Sequence, residues 1–324
     1  MDANGELRCW DELIPDALCL IFRNLLLQDK LTVVPRVCKS WGRAALSPNS
    51  WQEIDLAEWS QRCKPEDLDR MVRMLIDRSS GSVRKISVSG LPDDSLFVFI
   101  AEHTSSLQTL SLPRSEISDS VVEQVAGRLS NITSLDISYC AKIGAHALEE
   151  FGKNCKFLVT LRRVMHPLEV ADKVCQDDEA HAVAYYMPKL KHLEMGYLLL
   201  TSAGVLEILS SCRDLEFLDI RGCWDVRLDD NFMKERYPRL KLLGPLITND
   251  CYERGLWEDC SDYSDSSGYL AWDYIDDGIA EFFDGESSDG GWDDPQGLEG
   301  LEVRFYGGGF NNDGFLGIEW PPSP

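Results

Sequence analysis

A short apolar pattern, L-x-x-L-x-L in form, returns along the middle of the chain at a nearly constant spacing. It reads Val83/Ile86/Val88, Leu107/Leu110/Leu112, Ile132/Leu135/Ile137, Leu158/Leu161 with Arg163 third, Leu190/Leu193/Met195 and Leu215/Leu218/Ile220, and Leu240/Leu243 closes the series. The first positions are separated by 24, 25, 26, 32, 25 and 25 residues, and Trp51/Ile54/Leu56 adds a unit in front. Alternation over so few residues predicts a short strand. The stretches between carry helical spacing, as in Val121, Val122 and Val125 or Val205, Ile208 and Leu209. A strand-turn-helix unit of this size cannot bury its own apolar face, so the units must stack. The predicted fold class is therefore α/β: about eight strand-helix units forming a solenoid with a parallel sheet on its concave face.

Strand periodicity places one residue of each unit on the exposed face of that sheet: Asp55, Ser87, Ser111, Asp136, Arg162, Glu194, Asp219 and Gly244. Of these, Asp136, Arg162, Glu194 and Asp219 are the candidate substrate-binding residues. Glu194 and Asp219 are expected to be like-charged neighbours whose repulsion a basic partner would relieve. The alternative is a solvated face on which Arg162 neutralises Asp136 and Glu194. Cys140 and Cys223 stand three residues after the third strand position, and Cys155 and Cys212 stand three before the next strand. In these features the array resembles the leucine-rich repeats of the cysteine-containing subclass. The 32-residue interval and the polar Arg163 predict an insertion near 162–187 that leaves the regular path, as either a binding feature or a tolerated loop. Gly244-Pro245 suits a closing cap.

Ahead of the array lies I-P-D-A-L-C-L-I-F-R-N-L-L-L-Q-D-K-L-T-V-V-P-R-V-C-K-S-W, residues 14–41. Pro15 fits a first helical position, and Leu18, Ile21, Phe22 and Leu25 form one apolar stripe. Asp29 is expected to cap a second helix and Pro35 to break it before Val37, Cys38 and Trp41 resume the pattern, giving three helical pieces. So small a module lacks a disulfide or metal staple and is expected to exist in order to be docked. With Ile14-Pro15 where Leu-Pro is usual, and with Val37-Cys38-Lys39-Ser40-Trp41 at its end, it resembles an F-box. That resemblance implies a three-helix module at 10–48 docking a Skp-type adaptor, and through it a cullin, by Ile14, Pro15, Leu18, Phe22, Leu25, Leu31, Val37 and Trp41. It also implies that the following domain holds a protein substrate for ubiquitination and degradation. Pro35 departs from the family pattern. The alternative is a non-degradative interaction scaffold.

Charge divides the chain. From residue 249 onward there are 19 Asp or Glu against Arg254 and Arg304, so 17 of the 23 net negative charges lie in the last 76 residues. The expected layout is a flexible N-terminus at 1–9, the module at 10–48, the repeats at 49–248, and an acidic, aromatic-rich, partly disordered tail at 249–324 suited to a partner with a basic surface. This acidity disfavours nucleic acid and anionic membranes. No signal-peptide pattern or membrane-length apolar run occurs, and the expected location is intracellular, in nucleus and cytoplasm. Eleven cysteines without any C-x-x-C read as reduced thiols. The five histidines have no metal spacing, and Asp273, Asp277 and Gly278 fit a calcium loop poorly because Ile275 and Asp284 stand at ligand positions. No P-loop, dinucleotide or nucleophile-elbow motif occurs, so neither catalytic residues nor a metal or cofactor are expected. Trp-Asp pairs at Trp10, Trp224, Trp272 and Trp292 are too irregular for propeller blades.

Overall fold

The first helix, α1 (Pro15–Phe22), starts at a proline that needs no intrahelical partner and buries Leu18, Cys19 and Phe22. α2 (Leu27–Thr32), α3 (Val34–Val37) and α4 (Lys39–Leu46) follow, in a computed structural model that describes residues 13–166 and 175–246. The module thus has four helical pieces rather than the expected three, because Cys38 is extended (φ -163°, ψ 168°) and separates Val37 from Lys39. Asp29 does not cap α2. It lies within the first turn behind Leu26, where its charge faces the positive end of the helix. The break falls at Val33, ahead of Pro35, which sits in the first turn of α3, and Trp41 still packs on Phe22 with ring centroids 5.3 Å apart.

The module closes onto the repeats through the 3-10 turn Pro48–Trp51. Trp51 is 1% exposed, and its indole Nε1 donates to the Ala45 carbonyl at 2.8 Å. Ser50 Oγ donates to the Ala44 carbonyl at 2.7 Å, and Arg23 reaches Gln52. One face of the small helical core is thereby sealed by the start of the array, which supplies burial that the module cannot supply alone.

Eight three-residue strands then form one parallel sheet in sequence order: β1 (Glu53–Asp55), β2 (Lys85–Ser87), β3 (Thr109–Ser111), β4 (Ser134–Asp136), β5 (Thr160–Arg162), β6 (His192–Glu194), β7 (Phe217–Asp219) and β8 (Lys241–Leu243). The register puts Ile54, Ile86, Leu110, Leu135, Leu161, Leu193, Leu218 and Leu242 in one inward row. At the last strand the expected register is one residue out. Leu243, not Gly244, stands beside Asp219, because only Lys241 separates Leu240 from the inward position, where earlier units have two residues.

The connecting helices are α5 (Ala57–Ser60), α6 (Pro65–Ser79), α7 (Asp94–His103), α8 (Asp119–Val125), α9 (Ala145–Asn154), α10 (Asp177–Tyr186), α11 (Ser202–Ser211) and α12 (Asp230–Arg236). A device invisible in the hydrophobic pattern ties several of them together. The aspartate that opens one helix holds the N-cap residue of the next: Asp94 accepts from Ser118 N and Oγ (2.8 and 2.6 Å), Asp119 from Gly144 N (2.8 Å), and Asp177 from Thr201 N and Oγ1 (2.8 and 2.6 Å). Ser118 and Thr201 in turn cap their own helices. Each carboxylate thus sits in the positive field at the start of its own helix while fixing its neighbour.

The long interval is more regular than expected. α10 packs in line between α9 and α11, and Arg163 is 1% exposed rather than bulging into solvent. Its guanidinium donates to both Glu179 oxygens on α10 (3.1 and 3.3 Å) and to the carbonyls of Cys140 (3.0 Å) and Ile143 (2.6 Å). Arg163 fills an apolar position because its charge and donors are satisfied there. The remainder of the insertion, residues 167–174, lies outside the described residues, as do 1–12 and the tail with its poor calcium-loop match.

The four repeat cysteines are buried, and each donates its thiol to a backbone carbonyl of the preceding unit: Cys140 to Leu112 (3.2 Å), Cys155 to Leu129 (3.2 Å), Cys212 to Met187 (3.5 Å) and Cys223 to Met195 (3.2 Å). Burial pushes their pKa values up, to about 11 for Cys140 and about 12 for the others. Only the thiolate is nucleophilic. Iodoacetamide at pH 8 should therefore spare these four until the chain is unfolded while modifying exposed Cys175, as peptide mass mapping will show. In urea unfolding, Arg163→Ala should cost ~3–5 kcal/mol by leaving Glu179 buried without its cation, and Arg163→Met with Glu179→Met should recover most of that loss.

Candidate functional site

Two surfaces carry residues that the fold itself does not need. The first is on the helical module. Its closed core holds Leu18, Cys19, Phe22, Val34, Ala44 and Ala45, with Leu13, Leu25 and Trp41 packed against it at partial exposure, and Leu31 is buried as well. Of the residues the sequence singles out, Leu18, Phe22 and Leu31 are therefore interior, Leu25 and Trp41 are half-buried, and Ile14, Pro15 and Val37 are on the surface. The structure adds four more exposed apolar side chains: Leu20, Ile21, Leu26 and Val33, with Leu26 the most open at 72%. Exposed aliphatics crowded into three short helices, on a module whose core is already closed, mark a surface built to be covered.

Helical periodicity assigns Ile21 to the interior stripe, but the chain turns away from it. α1 ends at Phe22, one residue later, and Asn24 and Leu25 bond back to Ile21 and Phe22 in a tight turn. Leu20, Leu26 and Val33 escape notice because nothing in their spacing separates a covered apolar side chain from an uncovered one.

The second surface is the exposed row of the sheet. Register aligns Asp136 with Arg162, Arg162 with Glu194 and Glu194 with Asp219, so all four candidate residues are neighbours. The repulsion expected between Glu194 and Asp219 is relieved within the chain. Arg162 donates Nε to Glu194 (2.9 Å) and Nη1 to Asp136 (3.3 Å). His192 Nε2 lies 2.7 Å from the other Glu194 oxygen. Asp219, expected on the exposed face, is instead buried, with its side chain 5% exposed, because it takes the Arg221 guanidinium and backbone N–H. Ser111 and the Ser138 N–H complete Asp136. Each carboxylate of the row thus has a guanidinium in contact, with Arg162 shared between Asp136 and Glu194. Burial pulls the Arg162 pKa down, but the neighbouring Asp136 and Glu194 carboxylates outweigh it and the net shift is upward.

Above this row, at the carboxyl end of the strands, a cavity of about 290 Å³ is lined by Arg114, Tyr139, Val164, Gly196, Tyr197 and Arg221 together with the charged row. The Arg114 guanidinium lies 5.5 Å from the Tyr139 ring centroid, and the His166 ring centroid lies 4.5 Å from it. Gly196 lets the next unit approach closely, since a Cβ there would come within 3.2 Å of the Arg221 carbonyl. No group of three or more His, Cys, Asp or Glu side chains arranged to hold a metal occurs among the described residues, and no described helix is long and apolar enough to cross a membrane.

No protein-family model matches the sequence. Curated proteins do. The chain is 52% identical to F-box protein FBW2 of Arabidopsis thaliana over 330 residues that cover the whole of both chains. It is 32% identical over 238 residues to the Arabidopsis putative F-box/LRR-repeat protein 23, covering 73% of this chain and 53% of that one. Over 241 residues it is 31% identical to the Arabidopsis F-box protein SKIP19, covering 74% and 78%. A helical module sealed onto eight strand-helix units, together with relatives matched across nearly all of it, places the chain in the family of F-box/leucine-rich-repeat proteins.

Proposed function

We propose that the chain is the substrate-recognition subunit of a Skp–cullin–F-box ubiquitin ligase. In this reading the helical module docks a Skp-type adaptor and, through it, the cullin. The repeats hold a protein substrate, and the outcome is ubiquitination and degradation of that substrate. The observation that carries the reading is the set of exposed aliphatics Ile14, Leu20, Leu26, Val33 and Val37 on a module whose own core is closed. Covering these side chains removes apolar area from water, which is a main source of association free energy. The buried Leu18, Phe22 and Leu31 hold the helices that present the patch.

No bond chemistry is assigned to the chain itself. Its contribution is proximity: holding a target lysine near ubiquitin carried by another subunit makes a bimolecular encounter effectively intramolecular. A stiff repeat array serves this better than a flexible linker, because effective concentration falls when the held partner explores a larger volume.

The module separates presentation from folding. Leu20→Asp combined with Val33→Asp should abolish co-purification of the adaptor while leaving the circular dichroism spectrum and urea midpoint unchanged. Phe22→Ala should lose adaptor binding together with ~3–5 kcal/mol of module stability. Normal adaptor affinity in the double surface variant would overturn the docking reading and favour a scaffold that works without the ligase.

A further inference from the structure

The turns that follow β2 to β7 repeat one backbone position. The N–H groups of Gly90, Arg114, Tyr139, Met165, Tyr197 and Gly222 each donate to a carbonyl of the next unit, to Pro113, Ser138, Val164, Gly196, Arg221 and Pro245 respectively. These six residues are therefore one rung of the stack. At five of them φ is positive: 72° at Gly90, 59° at Arg114, 63° at Tyr139, 61° at Tyr197 and 76° at Gly222. A left-handed residue with a side chain is strained, whereas glycine is not. The chain supplies its own control: at the outer units of this rung it uses glycine, and at three inner units it places arginine or tyrosine in the same conformation. All three of those side chains line the cavity at the carboxyl end of the strands, which is where parallel α/β sheets present ligand sites. Strain kept where a neighbouring unit avoids it points to a use for the side chain.

The charges indicate which use. Asp136 and Glu194 already share Arg162, and Asp219 already takes Arg221. Arg114 is exposed and forms no ion pair with the described residues, and its guanidinium is held over the Tyr139 ring. Stacking orients the guanidinium and leaves its N–H fork free to grip an oxyanion. Among the described residues that line the cavity, Arg114 is therefore the cation without an ion pair, and it shares the cavity with Tyr139 and Tyr197. We infer that this rung is a recognition site for an anionic side chain, carboxylate or phosphate, on an extended segment of the substrate, with Arg114 as its anchor. The inference rests on the proposal that the repeats hold the substrate. It gives that substrate a chemistry opposite to the one suggested by the chain's net charge.

The test uses the full chain bound to its adaptor and a bead-displayed random octapeptide library that includes phosphoserine. Beads retained by the wild-type protein should be enriched in Asp and Glu or in phosphoserine, and which of the two is enriched identifies the source of the anion. Arg114→Gly should reduce binding of the selected peptides about tenfold, the scale of one lost charge-assisted contact. Its urea midpoint should not fall, because glycine suits the left-handed turn. A lowered midpoint would mark Arg114 as structural and overturn the proposal. So would selection of neutral or basic peptides, anionic selection that survives Arg114→Gly, or no selection. If basic peptides are selected and then lost in Glu194→Gln, the repeats hold the substrate but not in this way. Adaptor co-purification from the same samples reports separately on the docking module.

Discussion

A three-residue strand cannot stand alone, and this dependence governs the whole array. Each strand satisfies its peptide groups only through the units on either side, and its inward leucine or isoleucine is covered only when the neighbouring helices are in place. The in-register ladder from Ile54 to Leu242 is the consequence. Because every contact is with a nearest neighbour, a local fault is felt next door. This explains why the links between units are polar as well as apolar: the Asp94, Asp119 and Asp177 bonds to following caps and the cysteine thiols on preceding carbonyls fix spacing that hydrophobic contact alone leaves loose. Directional bonds set the register, and burial of apolar area supplies the free energy.

An array of this kind has an end problem, since its first unit would expose one side of its core. The helical module solves that problem and depends on the solution. Trp51 is buried at the junction and bonds to Ala45, while Ser50 bonds to Ala44, so the C-terminal end of α4 is tied to the start of the repeats. The two parts therefore share a boundary that neither could leave wet. The junction therefore joins module and array through buried, hydrogen-bonded residues.

Much of this was legible in the sequence, and the misses have physical causes. Periodicity recovers the strands, their order and the exposed row, because a buried parallel strand repeats its apolar residues at fixed intervals. It misplaces the last strand because Leu240 keeps its spacing from the helix while the residue count between it and the inward position drops by one. It misreads Arg163, since a hydrophobic pattern cannot anticipate that Glu179, 16 residues away, returns to neutralise it. The interior half of the helical module was visible as a stripe, whereas its exposed half, at Leu20, Leu26 and Val33, was not, because apolar residues on both sides of a short helix carry no sign of which side is left uncovered. The left-handed rung at Arg114, Tyr139 and Tyr197 is likewise invisible: only the glycines at 90 and 222 hint at it.

The distribution of charge then separates two kinds of recognition. On the sheet face each carboxylate has a cation within contact distance, so the field of the row decays over a few ångströms and discriminates by shape and by the positions of individual donors. Beyond residue 249 the sequence carries 17 net negative charges almost without opposing cations, and these act over a Debye length, about 8–10 Å at ordinary salt. Attraction at that range changes encounter rates more than it selects partners. A face whose carboxylates are paired and a stretch whose own sequence supplies almost no cations are therefore not redundant. The face is suited to choosing among ligands already in contact, and the acidic stretch to biasing which surfaces arrive.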